Sequence, residues 1–478
     1  MFFNSIQFAV FLPIVFIVYW FFTNNNLKIQ NILLLASSYF FYGWWDYRFL
    51  FLLIFSTFLD YYIGLKISNS ETQKTKKIWL LTSIVINLGF LCFFKYYNFF
   101  IDSFIPLLKT IGFKPHIWTL NLLLPVGISF YTFHGLSYVL DIYNKKFIPT
   151  KNFINYAVFV SFFPLLVAGP IERATHLLPQ VQKPRMFNYL YAVQGLKQIL
   201  WGLVKKVVIA DNCAEYANIV FNNSAHYHGS TLLIGALLFT FQIYGDFSGY
   251  SDIALGTAKL FGFELLRNFN FPYFSRDIGE FWRRWHISLS SWFRDYLYIP
   301  LGGSKGGLWK NIRNTFIIFI LSGFWHGANW TFIVWGTLNA MYFLPLLVLK
   351  KNRQNIDTVA KGRLLPSGRD IVNIGLTFFM VMFGWIFFRA TNLSDAAHYI
   401  SVLFSTSLFS IPEVFPRYVF FFIALFMLVE WFGREEFNPI NKLLSNTPKF
   451  IRWSFYFSLI ILVLYFSDKN QQFIYFQF

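Results

Sequence analysis

The sequence predicts an all-α protein that crosses a lipid bilayer many times. Of its 478 residues, 56% are hydrophobic and only 13% are charged, whereas an average soluble domain is about 25% charged. Apolar runs close to the ~20 residues that one membrane span requires recur along the whole chain. Short basic clusters separate these runs. We therefore expect one polytopic membrane domain over residues 1–478.

The candidate spans cover most of the chain. Some are short, or are interrupted by glycine and polar residues, and such segments can re-enter or half-span only where protein surrounds them. We expect about 11 full crossings, together with re-entrant and interfacial helices. The candidates lie at roughly 5–22, 29–44, 48–65, 78–101, 120–140, 154–169, 191–209, 230–248, 311–325, 330–349, 371–389, 416–433 and 452–467.

The net charge of +18 lies largely in the connections between apolar runs. In a soluble protein this charge would suggest nucleic-acid binding. Here the placement favours anionic lipid headgroups and the positive-inside rule, so that the basic loops 66–77, 144–152 and 350–370 are expected on the cytoplasmic side. The alternative is a phosphate-bearing substrate at the membrane face.

Two segments before residue 181 carry polar groups that interrupt apolar runs. In 120–143, Pro125 and Gly127 break the start of a helix, and His134 lies in the middle of the predicted span. His134 is a candidate substrate-binding residue, with a hydrogen-bonded packing role as the alternative. In AGPIER, residues 168–173, proline ends the preceding helix. Its Glu172 and Arg173 are expected to form a solvated ion pair at an interface.

Two further segments place charged residues beside apolar runs. Residues 191–212 contain Lys197, Lys205 and Lys206, and form either a span or an interfacial helix. Residues 242–252 read QIYGDFSGYSD, where Asp246 and small residues follow an apolar run. We expect irregular backbone that lines a cavity there.

Residues 281–296 have the pattern of one amphipathic helix in the membrane interface. Phe281, Trp285, Leu289, Trp292 and Tyr296 recur at helical spacing and form a single apolar stripe. The polar residues on other faces are Arg283, His286, Ser290 and Arg294. The pattern indicates that His286 faces a polar cavity.

His326 lies between the apolar runs 315–324 and 330–349. A titratable group at membrane depth is costly to bury, so a functional role is the default, with a packed histidine as the alternative. Burial keeps imidazole neutral, and a neutral ring can accept a proton from a hydroxyl. On a continuous helix His326 would share a face with Asn329 and Trp330, and the Asn329 amide could orient the ring or donate to an oxyanion.

Other catalytic templates do not match. No histidine is followed by aspartate five residues later, and residues 302–306 match G-x-S-x-G without the strand and helix that a nucleophile elbow requires. A flexible turn is expected there. Cys92 and Cys213 supply neither a disulfide framework nor metal-ligand spacing, so we expect two buried structural thiols and no metal site.

These residues resemble the membrane-bound O-acyltransferase superfamily. The similarity is to the bacterial alginate O-acetyltransferase-like branch, which includes peptidoglycan O-acetyltransferases and is related to the D-alanyl transferases of teichoic acid. It covers nearly the whole chain. The segments that carry it are SIQFAVFLPIVFIVYW (5–20), LLPVGISFYTFHGLSYVLDIY (123–143), AGPIER (168–173), GLVKKVVIADN (202–212), YGDFSGYSDIALG (244–256), FPYFSRDIGEFWRRWHISLSSWFRDYLYIPLGG (271–303) and FWHGANWTFIVWG (324–336).

The resemblance implies that His326 is the family's catalytic histidine and His286 its second histidine. It also implies a ring of tilted spans around a central funnel, with a catalytic core at about 120–350. Arg283 and Arg284 would meet donor phosphates, with lipid headgroups as the alternative. The candidate substrate-binding residues around the two histidines are Asn329, Trp325, Trp330, Ser290, Arg283, Arg284, Arg294, Asp246 and His134.

The expected function is O-acetylation of an alginate-like exported or cell-surface polysaccharide, from a bacterial inner membrane. Acetyl-CoA, or another acyl thioester, would be the donor substrate, and no bound cofactor is expected. The implied partners are an extracytoplasmic acetyltransferase and a polysaccharide acceptor. The alternatives within the family are a peptidoglycan O-acetyltransferase and a D-alanyl or other acyl transferase. The alternative outside it is a lipid or glycan transporter, although transporters tend to show internal repeats and none is evident here.

Overall fold

A computed structural model describes residues 1–23, 25–112, 120, 123–167, 169–444, 447–469 and 471–474. These residues form helices and connecting segments, and the described part of the chain contains no β-strand. The predicted all-α class is therefore confirmed. Parts of four predicted elements lie outside the described residues, namely residues 121–122 of span 120–140, Ala168 of both the span 154–169 and AGPIER, and residues 445–446 of the connection after the span 416–433.

The first compact unit consists of residues Met1–Gly195 and Thr257–Leu266. Several of its helices begin at polar caps, where the side chains of Ser5, Asn26 and Thr72 accept hydrogen bonds from first-turn N–H groups. Its helices are α1 (Ile6–Ile17), α2 (Leu27–Gly43), α3 (Leu50–Asn69), α4 (Gln73–Leu91), α5 (Tyr97–Thr110), α6 (Ile128–Tyr143), α7 (Phe153–Ser161), α8 (Phe163–Leu166), α9 (Ala174–Val181) and the start of α10 (Tyr189–Leu203).

The second compact unit consists of residues Leu196–Gly256 and Arg267–Phe478. Two π-helical segments, Val204–Ala210 and Arg294–Tyr298, extend α10 and a later helix of this unit. Its α-helices after α10 are α11 (Asp211–Asn222), α12 (Gly229–Leu260, which enters the first unit at its end), α13 (Ile278–Arg284), α14 (Ile287–Phe293), α15 (Leu308–His326), α16 (Trp330–Val348), α17 (Gly368–Arg389), α18 (Leu393–Leu403), α19 (Arg417–Gly433), α20 (Pro439–Leu444) and α21 (Lys449–Phe466).

Six helices in the described part of the chain are long and apolar enough to cross a membrane, and Ile6–Phe22 is a shorter apolar helix. A polytopic membrane protein is therefore supported, while a total of about 11 crossings stays a prediction. The six are Tyr47–Asn69, Gln73–Ile105, Gly229–Leu260, Trp330–Val348, Gly368–Arg389 and Lys449–Phe466.

Two predicted spans of the first unit are shorter than expected. The helix within 120–140 begins only at Ile128, because Gly127 adopts φ 74° and a Cβ there would lie 2.2 Å from the Leu166 carbonyl oxygen. The span 154–169 divides into α7 and α8, which meet at Phe162 with ψ 115°. Segments this short cannot cross a bilayer unaided.

The predicted irregular backbone over 242–252 is wrong, because these residues lie inside the continuous helix α12. Their small residues serve helix packing instead. A Cβ on Gly245 would lie 2.9 Å from the Lys205 carbonyl oxygen, and one on Gly249 would lie 2.7 Å from that of Gly202. Glycine therefore lets α12 pack directly against the backbone at the end of α10 and of the π-helical segment that follows it.

The single amphipathic helix predicted over 281–296 is also wrong. The chain forms α13 and α14, separated at Trp285 and His286, and His286 has a left-handed backbone with φ 42°. Two backbone hydrogen bonds explain the break: Asn270 N–H donates to Arg284 O, and Ile287 N–H donates to Asn268 O. Pairing with a distant segment thus overrides helical periodicity.

Two smaller expectations about burial are wrong. Cys213 is buried, but Cys92 is exposed on an apolar helix, where a thiol can face lipid at little cost. Glu172 and Arg173 do not form a solvated ion pair. Glu172 is fully buried and pairs with His176, one helical turn further on.

Candidate active site

His326 is the last residue of α15 and lies where the α15–α16 hairpin turns. The two helices pack closely because both contribute glycine: a Cβ on Gly323 would lie 2.2 Å from Phe332 O, and one on Gly336 would lie 2.3 Å from Phe319 O. This close approach holds the His326 ring at a defined place. The residue is 6% exposed.

Aromatic rings surround His326. Its ring centroid lies 4.9 Å from that of Trp325, 5.2 Å from that of Trp335 and 5.2 Å from that of Phe388. All three contacts are edge-on, and Trp385 stacks on Trp335 behind them at 5.6 Å. Aromatic walls of this kind make the surroundings of the ring apolar, and an imidazole in its neutral form can accept a proton.

Asn329 and Trp330 do not share a helix face with His326, because α15 ends there and Gly327 is extended. Asn329 is instead the N-cap of α16: its Oδ1 accepts from Thr331 N–H, and its Nδ2 donates to Thr391 O at 2.7 Å. The indole of Trp330 is 52% exposed. The predicted helix-face arrangement is therefore wrong, since the amide of Asn329 is used to form the turn.

His286 is held by a residue that the sequence patterns did not indicate. Its Nδ1 lies 2.9 Å from Asn268 Oδ1, and both residues are 1% exposed. The backbone N–H and the hydroxyl of Ser288 also donate to that Oδ1, so the atom is an acceptor and Nδ1 carries the proton. In the neutral ring the lone pair is then on Nε2.

The structure brings both histidines to one indole. The ring of Trp325 lies 4.9 Å from His326 and 6.1 Å from His286, centroid to centroid. The ring of Phe247 also contacts His286, with the two ring centroids 4.6 Å apart. Residues from the α13–α14 break and from the α15–α16 turn thus form a single aromatic-lined cluster.

Arg283 and Arg284 both form hydrogen bonds within the protein. Arg283 donates to Asn352 O and Asn355 O, and Arg284 donates to Asp357 O while pairing with Glu280 at 2.8 Å. Both guanidinium groups therefore hold the loop 350–370 in place. Their predicted contact with donor phosphates stays a prediction.

Arg434 contributes further hydrogen bonds to the loop 350–370. Arg434 donates to the carbonyl oxygens of Val359, Ala360 and Arg363. Because these are backbone acceptors, they fix the path of the loop without neutralising its basic side chains. The loop is thus a defined structure and not a loose connection.

Ser290 and Arg294, two further candidate substrate-binding residues, each contact a residue close to them in the chain. Ser290 Oγ donates to Trp285 O at 3.5 Å, and the exposed Arg294 pairs with Asp295 at 2.8 Å. Exposed ion pairs of this kind contribute little to stability. Both side chains are thus engaged by residues close to them in the chain.

Asp246 belongs to a buried charged cluster on α12. Its carboxylate pairs with Lys206 at 2.8 Å and accepts from Ile474 N–H at 2.7 Å, and Lys206 also pairs with Asp211 at 2.7 Å. Buried charges require such partners. These contacts account for Asp246 as a structural residue of the second unit.

His134 lies in the first unit and accepts a backbone hydrogen bond. The N–H of Glu172 donates to His134 Nε2 at 3.1 Å. Glu172 in turn accepts from Leu266 N–H, and its hydrogen bond with His176 at 2.8 Å raises the pKa of His176. The geometry of His134 matches the hydrogen-bonded packing alternative.

Among the described residues, no group of three or more His, Cys, Asp or Glu side chains could hold a metal ion. The polar chemistry of the cluster around Trp325 comes from its imidazoles, Asn268 and Ser288. Such an arrangement can accept, hold and return protons.

Comparisons with known proteins identify the relatives of the chain. A family model described as MBOAT, membrane-bound O-acyltransferase family, matches residues 55–388. The chain is 38% identical over 452 residues to the "Probable alginate O-acetylase AlgI" of Pseudomonas aeruginosa, covering 93% of this chain and 84% of that protein.

Two relatives carry other names. The "Peptidoglycan O-acetyltransferase" of Helicobacter pylori is 36% identical over 381 residues, covering 74% of this chain and 70% of that protein. The "Teichoic acid D-alanyltransferase" of Bacillus subtilis is 30% identical over 295 residues, covering 58% of this chain and 71% of that protein. The names of all three relatives describe acyl transfer.

Proposed function

Since the chain belongs to the membrane-bound O-acyltransferase family and is an acyltransferase, we propose that it moves acetyl groups for O-acetylation of an exported or cell-surface polysaccharide. The donor is a cytoplasmic acyl thioester, acetyl-CoA above all. The acceptor is a hydroxyl outside a bacterial inner membrane, on the glycan or on an extracytoplasmic acetyltransferase partner that completes the transfer. The relatives from Pseudomonas aeruginosa and Helicobacter pylori, named as an O-acetylase and an O-acetyltransferase, support this choice of group.

One observation carries the proposal: two buried histidines lie against the same indole, in an apolar part of a membrane protein. His326 takes the proton of the acceptor hydroxyl as its oxygen attacks the thioester carbonyl. The carbon–sulfur bond then breaks, and the imidazolium returns the proton to the leaving thiolate. Neither step needs a group besides the imidazole and the two substrates.

His286 assists by orientation. Because Asn268 holds its proton on Nδ1, the neutral His286 ring offers Nε2 as an acceptor. An acceptor at this place can hold a second donor group of the acceptor substrate while the attacking hydroxyl gives its only proton to His326, and this orientation lowers the entropic cost of reaction. Donation from Nε2 to an acyl carbonyl would require the imidazolium form.

The distribution of basic residues supports the direction of transfer. The loop 350–370 carries six lysines and arginines, while residues 390–416 carry none. By the positive-inside rule the loop is cytoplasmic. Since α16 and α17 run from the His326 turn to this loop and back, the opposite ends, near Asn329 and Arg389, face outward.

The test is glycan acetylation in cells that carry His326→Ala. Loss of at least about 10²-fold is expected for removal of the proton-transfer group, at unchanged protein level. The exposed His398 provides a matched control, and His398→Ala should acetylate normally. Retained acetylation in the His326 variant at equal protein level would refute the role of this residue.

The named alternatives differ in the group transferred. The D-alanyltransferase relative favours an amino-acyl cargo as the second candidate. Purified protein should consume labelled acetyl-CoA and leave a D-alanyl thioester unchanged. The reverse preference would support the second candidate, and consumption of neither thioester would favour a transporter.

A further inference from the structure

A small polar cavity of the second unit lies beside Asn268, the residue that holds His286. Its volume is about 20 Å³, and a cavity needs roughly 10–15 Å³ to hold one water molecule. Its wall comes from the π-helical segment after α10, from α12, from the segment before α13 and from the end of α19. The wall of this polar chamber, as we call it, includes Lys205, Ser248, Asp252, Arg267, Asn268 and Glu430.

Three polar atoms of the chamber wall are buried without a hydrogen bond. They are Ser248 Oγ, Asn268 Nδ2 and Glu430 Oε1, and within the described residues none of them has a hydrogen-bond partner. The three residues are 1%, 1% and 2% exposed, respectively. Buried polar groups of folded proteins are almost always hydrogen-bonded, either to protein or to ordered water. The three atoms therefore indicate a small polar ligand between them.

The charges of the polar chamber favour a neutral ligand. Lys205 and Arg267 supply two positive charges to the wall, and Asp252 and Glu430 supply two negative ones. These charges balance. An added ion would leave one charge uncompensated in a buried place, which is costly. A neutral molecule is therefore the suitable ligand, and the volume of the chamber admits one of the size of water.

Glu430 is held so that one carboxylate oxygen is left for this ligand. Its Oε2 accepts from the Tyr244 hydroxyl at 2.7 Å. Lys205 Nζ lies 3.9 Å from Oε1, beyond hydrogen-bond reach, and 2.5 Å from Asp252 Oδ2. Because Lys205 is engaged by Asp252, it does not satisfy Glu430 Oε1. That oxygen can accept a hydrogen bond from a water molecule.

The amide of Asn268 has two ends with different surroundings. Its Oδ1 accepts from His286 Nδ1 and from the N–H and hydroxyl of Ser288. Since the two ends of a planar amide point apart, Nδ2 is directed away from His286 and towards the polar chamber. A water molecule there would accept from Nδ2 and from the Ser248 hydroxyl, and donate to Glu430 Oε1. Three hydrogen bonds are typical of a buried water.

The orientation of this amide decides which nitrogen of His286 carries the proton. With Oδ1 towards the ring, the proton is on Nδ1 and the lone pair is on Nε2. A rotation of the amide by half a turn would let Nδ2 donate to the ring, which moves the ring proton to Nε2. The N–H of Ser288 opposes that rotation, because it would then face another donor.

A water molecule in the polar chamber removes the main reason for the amide to rotate. A buried N–H without a partner is rarer in proteins, and costlier, than a buried carbonyl without one. Without water, the unpartnered Nδ2 of Asn268 would favour the rotated amide, in which it donates to His286. With water, Nδ2 is satisfied where it lies.

We propose that the polar chamber holds one internal water molecule, which accepts from Asn268 Nδ2 and Ser248 Oγ and donates to Glu430 Oε1. Ser248 and Glu430 are then positioning residues, since through this water they keep the Asn268 amide in the orientation that leaves the proton of His286 on Nδ1. The water site itself is independent of the proposed function. Its effect on acetyl transfer rests on the role of His286 in that function.

The first experiment measures the position of the ring proton. Nitrogen NMR of the full chain in nanodiscs, labelled in its histidine side chains, distinguishes protonated from unprotonated ring nitrogens, and the His286 signals are those missing from His286→Gln. Wild type should carry the proton on Nδ1. In Ser248→Val a methyl group replaces the water, so the fraction of rings with the proton on Nε2 should rise about two- to tenfold, as expected for one lost hydrogen bond. An unchanged fraction would overturn the proposal.

Thr240→Val is the matched control. Thr240 is a buried residue of the same helix, and its hydroxyl donates to Ala236 O at 2.7 Å. Thr240 does not line the polar chamber. The variant therefore removes a buried hydroxyl of α12 without displacing the water, and His286 should keep its proton on Nδ1. A change equal to that in Ser248→Val would refute the specific role of Ser248.

An experimental structure that resolves ordered water tests the site in wild-type protein, so it decides the matter even if Ser248→Val does not fold. One water should lie within hydrogen-bond distance of Asn268 Nδ2, Ser248 Oγ and Glu430 Oε1. A chamber without ordered water, or closed by direct contact of these side chains, would overturn the proposal.

Acetyl transfer separates this inference from the proposed function. Per folded protein, transfer by Ser248→Val should fall as the Nδ1–H form of His286 is lost, with the KM for acetyl-CoA unchanged, because the variant alters orientation of the acceptor substrate and not donor binding. A shifted proton with wild-type transfer would leave the water site standing and refute the role of His286 in the proposed function. Lower transfer with an unshifted proton would refute the positioning role of Ser248.

Discussion

His134 and His326 have similar sequence surroundings and different structural ones. Each is a histidine in an apolar run, and each is buried. The Nε2 lone pair of His134 accepts the backbone N–H of Glu172, whereas His326 ends its helix among aromatic rings. A histidine whose lone pair serves the backbone is occupied in holding the fold. Burial alone therefore does not identify a catalytic base.

The largest predicted effect is the difference in acetyl transfer between alanine variants of these two histidines. His326→Ala should lower acetyl transfer per folded protein at least about 10²-fold with little change in thermal stability. His134→Ala removes a buried acceptor, so it should cost about 1–3 kcal/mol of stability and change the turnover of folded protein little. Transfer rates and melting temperatures of both purified variants check this. An equal loss of transfer activity in His134→Ala and His326→Ala would show that the two histidines do not have different roles.

The next effect tests the way in which His286 is held. Asn268→Asp keeps the acceptor for Nδ1–H and adds a negative charge, which should raise the pKa of His286 by about 1–3 units. Because the neutral ring is the active form, the acid limb of the rate profile should move upward by a similar amount.

The control for this profile is Asn69→Asp, at an exposed position on α3. It adds the same charge away from His286, so its profile should match the wild type. A purely structural role for Asn268 would lower the amount of folded protein without moving the acid limb. That result would remove Asn268 from the description of the site.

A smaller effect concerns Arg283, whose guanidinium donates to two carbonyl oxygens of the loop 350–370. Arg283→Ala should raise protease cleavage in this loop, because each lost hydrogen bond costs about 0.5–1.5 kcal/mol. The KM for acetyl-CoA should change little if loop support is the main role. A large increase in KM without new cleavage would restore donor-phosphate binding as its role.

The smallest effect is the pH dependence of stability at His176. Glu172 raises the pKa of His176 in the folded protein, so the pair stabilises the fold below the ordinary histidine pKa. This contribution is lost as pH rises through the raised pKa. Since His176 is half-exposed, the change should be below about 1 kcal/mol.

Melting temperatures across this pH range, compared with those of His176→Gln, measure that contribution. The variant lacks the titrating group, so its curve should be flatter than that of the wild type. Identical curves would show that the Glu172 contact does not couple protonation to folding.

Composition and apolar runs predicted the all-α membrane class, because burial in lipid demands long apolar helices. Pro125 and Gly127 indicated a break at the start of the next helix, and Gly127 adopts a left-handed backbone there. Both predictions depend on local properties of the chain.

The predictions for residues 242–252 and 281–296 are wrong because contacts between distant segments decide the structure there. The break at His286 depends on backbone pairing with residues 268–270, and the glycines of 242–252 serve a helix crossing, so neither could be inferred from spacing. Asn268 was missed for the same reason: it precedes His286 by eighteen residues and follows no periodic pattern with it. Only the folded chain brings such partners together.

The most direct test of the account is vectorial transfer in sealed vesicles that contain the purified protein in one orientation. Labelled acetyl-CoA is supplied on the side of the loop 350–370, and a hydroxyl acceptor is enclosed on the other side. Wild-type protein should deliver label to the enclosed acceptor, and His326→Ala should deliver none. Equal delivery by the two proteins would refute transfer across the membrane through His326.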